Sequence, residues 1–139
     1  MMARPGPRTE DCGHRDALVR LTQAEAFVSV AGLVLTDTTD DANAGIAAAL
    51  AVLGGIAASD AACCARLHRR ARGQAHQEAA ALVAQVSPGG DAMARDLQRL
   101  VDRKDDAHYG VHFVGIGEAR KMVDWAKRLV AAARRAVEA

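Results

Sequence analysis

The sequence predicts an all-α protein built as an antiparallel bundle of four to five helices. Half of the 139 residues are hydrophobic, and they recur at spacings of three and four, as on one face of an α-helix. No segment alternates apolar and polar residues over the length of a strand, and the chain has only three prolines. Aromatic residues make up 3% of the chain, so we expect a core of small side chains between closely packed helices.

The length predicts a single domain. Residues 1–14 contain two prolines and two glycines and are expected to form a disordered lead-in, followed by a helical domain over residues 15–139. The three cysteines are interpreted as reduced core residues, which favours a cytoplasmic location. A net charge of +1 provides no general attraction to membranes or nucleic acid, so no membrane contact is expected.

Apolar periodicity and turn residues place the helices along the chain. The first helix is expected from about Asp16 to Thr36, and the second from about Asp41 to Arg70. Residues 44–59 carry no charge but are mostly alanine and glycine, so they are interpreted as a buried helix in which Gly54 and Gly55 allow close helix contact. Further helices are expected over 74–86, from Asp91 into 97–110, and over 118–137, with a loop at 87–90 and a connector at 110–117.

Charged residues interrupt two of the apolar stripes. Asp60 shares a seven-residue spacing with Ile46, Leu53 and Leu67 on the second helix, while Lys104 and His108 continue the stripe of the fourth. If these helices are neighbours, Asp60 and Lys104 would neutralise each other, with His108 one turn further along. Two interpretations follow: a buried ion pair that fixes helix register, or a polar pocket that contains an ionisable imidazole.

A second cluster of charge lies at the end of the second helix. Cations at that position are stabilised by the helix dipole, but their number also favours a phosphate-binding or nucleic-acid-binding patch. Its arginines are Arg66, Arg69, Arg70 and Arg72. No Cys-x-x-Cys pair is present, and Cys63 and Cys64 are adjacent, so neither a metal site nor a cofactor is expected.

Arg103 and His108 form the sharpest candidate pair. An arginine can hold a phosphate while a histidine transfers a proton, which would allow RNA cleavage through the 2′-hydroxyl without a metal. Five positions on one continuous helix rotate by about 140°, so the two side chains converge only if the helix frays near His108 or the arginine side chain reaches round.

Three segments, RLHRRARGQAHQEA, DLQRLVDRKDDAHYG and GEARKMVDWAKRLV, resemble the HEPN superfamily of small bacterial helical bundles. The resemblance implies a toxin-like, metal-independent endoribonuclease that acts as a homodimer, with its site at the dimer groove. Arg103 and His108 would be its catalytic pair, and Tyr109 or Lys104 would position the phosphate. The alternative is a non-catalytic interaction or nucleotide-binding bundle, paired with a partner such as a nucleotidyltransferase-type antitoxin.

Overall fold

The computed structural model describes residues 8–72 and 76–139, without the side chains of residues 106, 108 and 109. These residues form an all-α bundle, as predicted, with one small antiparallel pair of strands. In chain order the elements are β1 (Thr9–Asp11), α1 (His14–Val34), α2 (Asn43–Leu67), β2 (Arg69–Ala71), α3 (His76–Val83), α4 (Gly90–Asp102), α5 (Lys104–Tyr109) and α6 (Ile116–Glu138).

Helix α2 is the centre of the bundle. It packs against α1 on one side and α6 on another, and it also contacts α3, α4, α5 and β2. Most of its uncharged stretch is buried, and Ala47, Ala51 and Ala58 are fully buried. Alanine lets neighbouring helices approach closely because it adds a single methyl group to the backbone. The predicted buried helix is therefore confirmed.

The paired glycines of α2 lie at two helix contacts, as the sequence predicted. A Cβ atom added at Gly54 would lie 2.8 Å from Val28 of α1, and one added at Gly55 would lie 2.5 Å from Leu100 of α4. Both distances are shorter than van der Waals contact. Each glycine thus allows one neighbour of α2 to approach its backbone.

Two of the described helices, α1 and α2, are long and apolar enough to cross a membrane, by length and composition alone. Within α2, 72% of the most apolar window is buried inside the bundle, which is typical of the core helix of a soluble protein. The corresponding share in α1, which lies near the N-terminus, is 28%. These properties are weak evidence for membrane insertion.

The second helix ends earlier than predicted. His68 adopts a left-handed conformation (φ 59°) directly after Leu67, and the chain then continues as strand β2 instead of a helix to Arg70. Strand β2 pairs with β1, and Glu10 lies directly opposite Arg70. The loop predicted over residues 87–90 lies at 84–89, between α3 and α4, with a cis peptide bond between Ser87 and Pro88.

Two predictions for the N-terminal region are wrong. Residues 9–11 form a strand, so this part of the predicted disordered lead-in has regular structure; residues 1–7 lie outside the described residues. Cys12 and Cys64 form a disulfide, with their Cα atoms 5.2 Å apart, and are not reduced thiols. The strand pairing explains this bond because it places Cys12 beside the last turn of α2, where its amide donates to His68 O at 3.1 Å. The disulfide also removes the cysteine argument for a cytoplasmic location.

Cys63 is the free cysteine among the described residues. Burial raises the pKa of its thiol to about 12, and the neighbouring Asp60 carboxylate adds to that rise. The thiol is therefore protonated and unreactive at neutral pH in the folded protein.

Thiol titration tests this cysteine arrangement. Without a reductant, the folded protein should react slowly with a thiol reagent at pH 8, because Cys63 is buried and protonated. The denatured, unreduced protein should show one thiol, and prior reduction should expose all three. Three thiols in the unreduced, denatured protein would contradict the disulfide.

A Gly55→Val substitution tests the close contact between α2 and α4. The added side chain overlaps Leu100, so we expect the free energy of unfolding to fall by about 1–3 kcal/mol in urea denaturation. Gly32→Val is the matched control, because a Cβ at Gly32 in α1 meets no atom within 4 Å among the described residues. Equal stability of the two variants would show that Gly55 is not required for this contact.

Candidate functional site

Asp60 is a buried carboxylate two turns before the end of the core helix α2. Its Oδ2 atom accepts hydrogen bonds from Arg20 Nε at 3.0 Å and from Arg70 Nη1 at 3.3 Å. A second nitrogen of Arg20 lies 2.9 Å from the same oxygen. The side chain of Asp60 is 9% exposed, whereas those of Arg20 and Arg70 are 25% and 34% exposed. The carboxylate is thus neutralised by α1 and β2.

The electrostatics of Asp60 combine two opposing effects. Burial raises the pKa of the Asp60 carboxyl above its ordinary value, and the positive charges of Arg20 and then Arg70 oppose that rise. Charged groups that lose water need such partners, because an unpaired carboxylate in the core is costly. Removal of either arginine should therefore raise the pKa of Asp60 further.

Arg70 joins this buried carboxylate to the N-terminal strand. While Nη1 bonds Asp60, Nη2 lies 3.1 Å from Glu10 Oε1 on the opposite strand. The hydrogen bond from Arg70 to Glu10 is the main cause that raises the pKa of Arg70. Glu10 is 46% exposed, so this outer ion pair is open to water and to competing anions.

A cavity of about 230 Å³ opens beside these groups, and we call it the Asp60 cavity. Its polar lining consists of Glu10, Arg20, Asp60, Arg70, Arg72 and His76. Three guanidinium groups face two carboxylates there, which leaves one net positive charge. The arrangement can accept a small anion such as a phosphate group.

The predicted pairing of Asp60 with Lys104 is wrong. Lys104 Nζ instead lies 3.3 Å from His76 Nε2, at the start of α3. Because His76 also lines the Asp60 cavity, Asp60 and Lys104 belong to one polar region without contacting each other. Lys104 adds a second net positive charge to that region. Asp60 therefore lines a polar cavity, but Lys104 is not part of its lining, and the side chain of His108 lies outside the described residues.

The arginines after α2 have separate environments. Arg66 donates to Ser87 O and Arg69 to Gln85 Oε1, each at 3.2 Å. These contacts attach the end of α2 to the segment after α3. Arg70 and Arg72 line the Asp60 cavity instead. The four arginines therefore do not form one patch, and two of them face the polar region.

Arg103 occupies the junction between α4 and α5, with φ −104° and ψ 2°. Its guanidinium pairs with Glu118 of α6 and lies over the ring of Trp125, 4.8 Å from the centroid. Cation–π contact and the ion pair together direct Arg103 toward α6. The adjacent Lys104 faces α3, so the two neighbouring cations point to different parts of the bundle.

The remaining predicted site residues are His108 and Tyr109. Their backbone forms the last turn of α5, and their side chains lie outside the described residues. Helix α5 itself contacts α2, so the segment with His108 lies against the core helix. Within residues 8–72 and 76–139, no group of three His, Cys, Asp or Glu side chains is placed to hold a metal ion.

No family model and no curated protein matches this chain. Membership of the HEPN superfamily therefore stays a prediction that depends on the sequence motifs. Sequence reasoning also missed Arg20, Glu118 and Trp125 as neighbours of the candidate residues. The sequence offers one indication that Arg20 lies near the core. It is next to Ala17, Leu21 and Ala24, at the edge of the buried face of α1.

Double-mutant cycles test which cation neutralises Asp60. Asp60→Ala should lower the free energy of unfolding by about 1–3 kcal/mol because it leaves Arg20 and Arg70 without their buried partner. In urea denaturation, the Asp60–Arg20 cycle should give a coupling energy above about 0.5 kcal/mol, and the Asp60–Lys104 cycle less than about 0.3 kcal/mol. A larger coupling energy for Asp60–Lys104 than for Asp60–Arg20 would restore the pairing expected from the sequence.

Proposed function

We propose that this protein is a HEPN-like endoribonuclease that cleaves RNA without a metal, with Arg103 and His108 as its catalytic pair. One observation carries the proposal: the helix is interrupted at Arg103, between the end of α4 at Asp102 and the start of α5 at Lys104. Arg103 is the N-cap of α5, and its carbonyl accepts a hydrogen bond from Ala107 N at 3.1 Å, so about 140° of rotation still separates it from His108 around that helix. The interruption supports the proposal because the Arg103 guanidinium at this junction is 38% exposed, and its long side chain can reach round α5 toward His108.

The environment of Arg103 suits a phosphate-binding role. Its side chain is 38% exposed, and its partner Glu118 is also at the surface, at 36%. An RNA phosphate can replace such an exposed carboxylate and receive two parallel hydrogen bonds from the guanidinium. Trp125 holds the guanidinium plane in place during that exchange.

In the proposed reaction, His108 removes the proton from the 2′-hydroxyl of the RNA. The O2′ atom then attacks the adjacent phosphorus, and the bond from phosphorus to the 5′-oxygen breaks. The departing 5′-oxygen takes up a proton from water, and the protonated His108 later returns its own proton to solvent, so the products are a 2′,3′-cyclic phosphate and a 5′-hydroxyl. Arg103 stabilises the charge that develops on the phosphate, and Tyr109 positions it.

The resemblance also implies a homodimer, and the outer surface of α1 supports one. Val19, Val30 and Leu33 are 53%, 46% and 66% exposed. They lie within about 60° of one another around the helix axis. A second copy of the chain that packs on this face would bury them. A nucleotidyltransferase-type antitoxin stays a further partner proposed from the resemblance alone.

RNA cleavage in the presence of EDTA tests the proposed activity. Wild-type protein should convert single-stranded RNA to fragments that end in 2′,3′-cyclic phosphate, detected by mass spectrometry. His108→Ala and Arg103→Ala should each lower the cleavage rate at least about 100-fold, as expected when a general base or an electrostatic stabiliser is removed.

His112→Ala is the matched control, because His112 is an exposed histidine in the segment after α5. It should cleave at the wild-type rate. Thermal melts separate loss of chemistry from loss of fold. Full activity in His108→Ala, or a melting temperature that falls with the activity, would contradict a catalytic role for His108.

The Asp60 cavity favours a second candidate function, a non-catalytic bundle that binds a nucleotide. Its net positive charge and its volume of about 230 Å³ suit a phosphate group more than a whole nucleotide. The base would then lie outside the cavity. Arg72 is exposed and has no ion-pair partner in the described part of the chain, so it is available for such a phosphate.

Thermal shift with nucleoside monophosphates distinguishes this second function. A nucleotide-binding bundle should melt at higher temperature as ligand is added, in proportion to the logarithm of ligand concentration above Kd. Arg72→Ala should abolish the shift and leave the melting temperature of the free protein unchanged. RNA cleavage together with an unchanged melting temperature on addition of nucleotide would favour the ribonuclease over the nucleotide-binding bundle.

A further inference from the structure

A second polar groove lies between α4 and α6, away from the Asp60 cavity. Its volume is about 480 Å³, and it is lined by Arg95 and Arg99 of α4 and by Arg128 and Arg135 of α6. Its acidic lining residue is Asp96, so four guanidinium groups face one carboxylate. The groove therefore carries three net positive charges, because arginine stays protonated at physiological pH.

The carboxylate of Asp96 fixes the positions of two of these arginines. It is 7% exposed, and its two oxygens accept hydrogen bonds from Arg128 Nη2 at 2.9 Å and Arg128 Nε at 3.3 Å. Arg99 Nη1 donates to the same carboxylate at 3.3 Å. Two of the four arginines are thus positioned by a buried group before any ligand arrives.

The other two arginines are exposed and available. Neither Arg95 nor Arg135 has an ion-pair partner among the residues that the structure describes. They lie on opposite walls of the groove, one on α4 and one on α6. An anion between the walls can receive hydrogen bonds from both.

The groove continues toward the proposed catalytic arginine. Arg99 lies over the Trp125 ring with its Cζ atom 5.8 Å from the centroid, and Arg103 lies over the same ring at 4.8 Å. From Trp125 to Arg135, α6 extends for about 15 Å. Cationic side chains therefore form a continuous path from Arg135 to Arg103, with an aromatic ring near one end.

We propose that this α4–α6 groove binds the backbone of single-stranded RNA and leads it to Arg103. The inference deepens the proposed function and rests on it for the nature of the ligand. Arginine forks bind phosphates in pairs of hydrogen bonds, and bases of single strands stack on aromatic rings or guanidinium planes. The guanidinium groups along the groove can make both kinds of contact, because their planes also stack on bases, whereas an acidic peptide would use only the charges.

RNA binding tests the groove independently of cleavage. The probe is a fluorescent 12-nucleotide RNA with 2′-O-methyl groups, which lacks the hydroxyl required for the proposed reaction. At 50 mM salt, the double variant Arg95→Ala/Arg135→Ala should bind at least tenfold more weakly than the wild type by fluorescence anisotropy. The slope of log K against log salt should fall by about 1.4 for two lost single-strand contacts.

The control double variant is Arg15→Ala/Lys127→Ala. It also removes two exposed cations, and neither residue lines the groove. It should keep more than half of the wild-type affinity. Thermal melts of both variants should match the wild type, because the replaced side chains are exposed.

Four outcomes separate the two proposals. A selective loss of RNA binding in the groove variant supports the groove, even if unmodified RNA is never cleaved and the ribonuclease proposal fails. Equal loss in both variants overturns the groove and leaves the cleavage test unaffected. Absence of RNA binding by the wild type overturns it as well. The groove proposal is also overturned if the variant Arg95→Ala/Arg135→Ala binds RNA normally but loses binding to phosphatidylserine vesicles.

Discussion

The neutralisation of Asp60 is the constraint on which the arrangement of the bundle depends. A buried carboxylate two turns before the end of α2 must acquire cations, and it obtains Arg20 from α1 and Arg70 from β2. Arg70 then binds Glu10, so the same network fixes the N-terminal strand. The disulfide from Cys12 to Cys64 closes this region covalently, one turn of α2 beyond Asp60. The polar cavity exists because these charged groups surround a small space.

Helix periodicity was sufficient to predict the main elements. Helix α1 was expected over 16–36 and lies at His14–Val34, while the last helix was expected over 118–137 and lies at Ile116–Glu138. Both carry regular apolar stripes whose burial determines their orientation. The glycine pair of α2 was interpreted correctly because two small residues in a helix have few functions other than close contact.

Long-range contacts could not be predicted in the same way. Strands β1 and β2 are three residues each, largely polar and 60 positions apart, so neither shows the alternation of a half-buried strand. The apolar stripe of the second helix shows that Asp60 faces the core, but it does not show which neighbouring element supplies its partner. Asp96 was missed for a related reason, because its arginine partner Arg128 lies 32 positions further along the chain.

The most direct test of this account is a carbon-13 NMR titration of the Asp60 carboxyl group. In the wild type, the pKa should lie above the ordinary aspartate value, because burial outweighs the two guanidinium charges. Arg20→Ala should raise the pKa further, and Lys104→Ala should leave it nearly unchanged. A larger change in Lys104→Ala than in Arg20→Ala would contradict the claim that Arg20 and Arg70 neutralise this carboxylate.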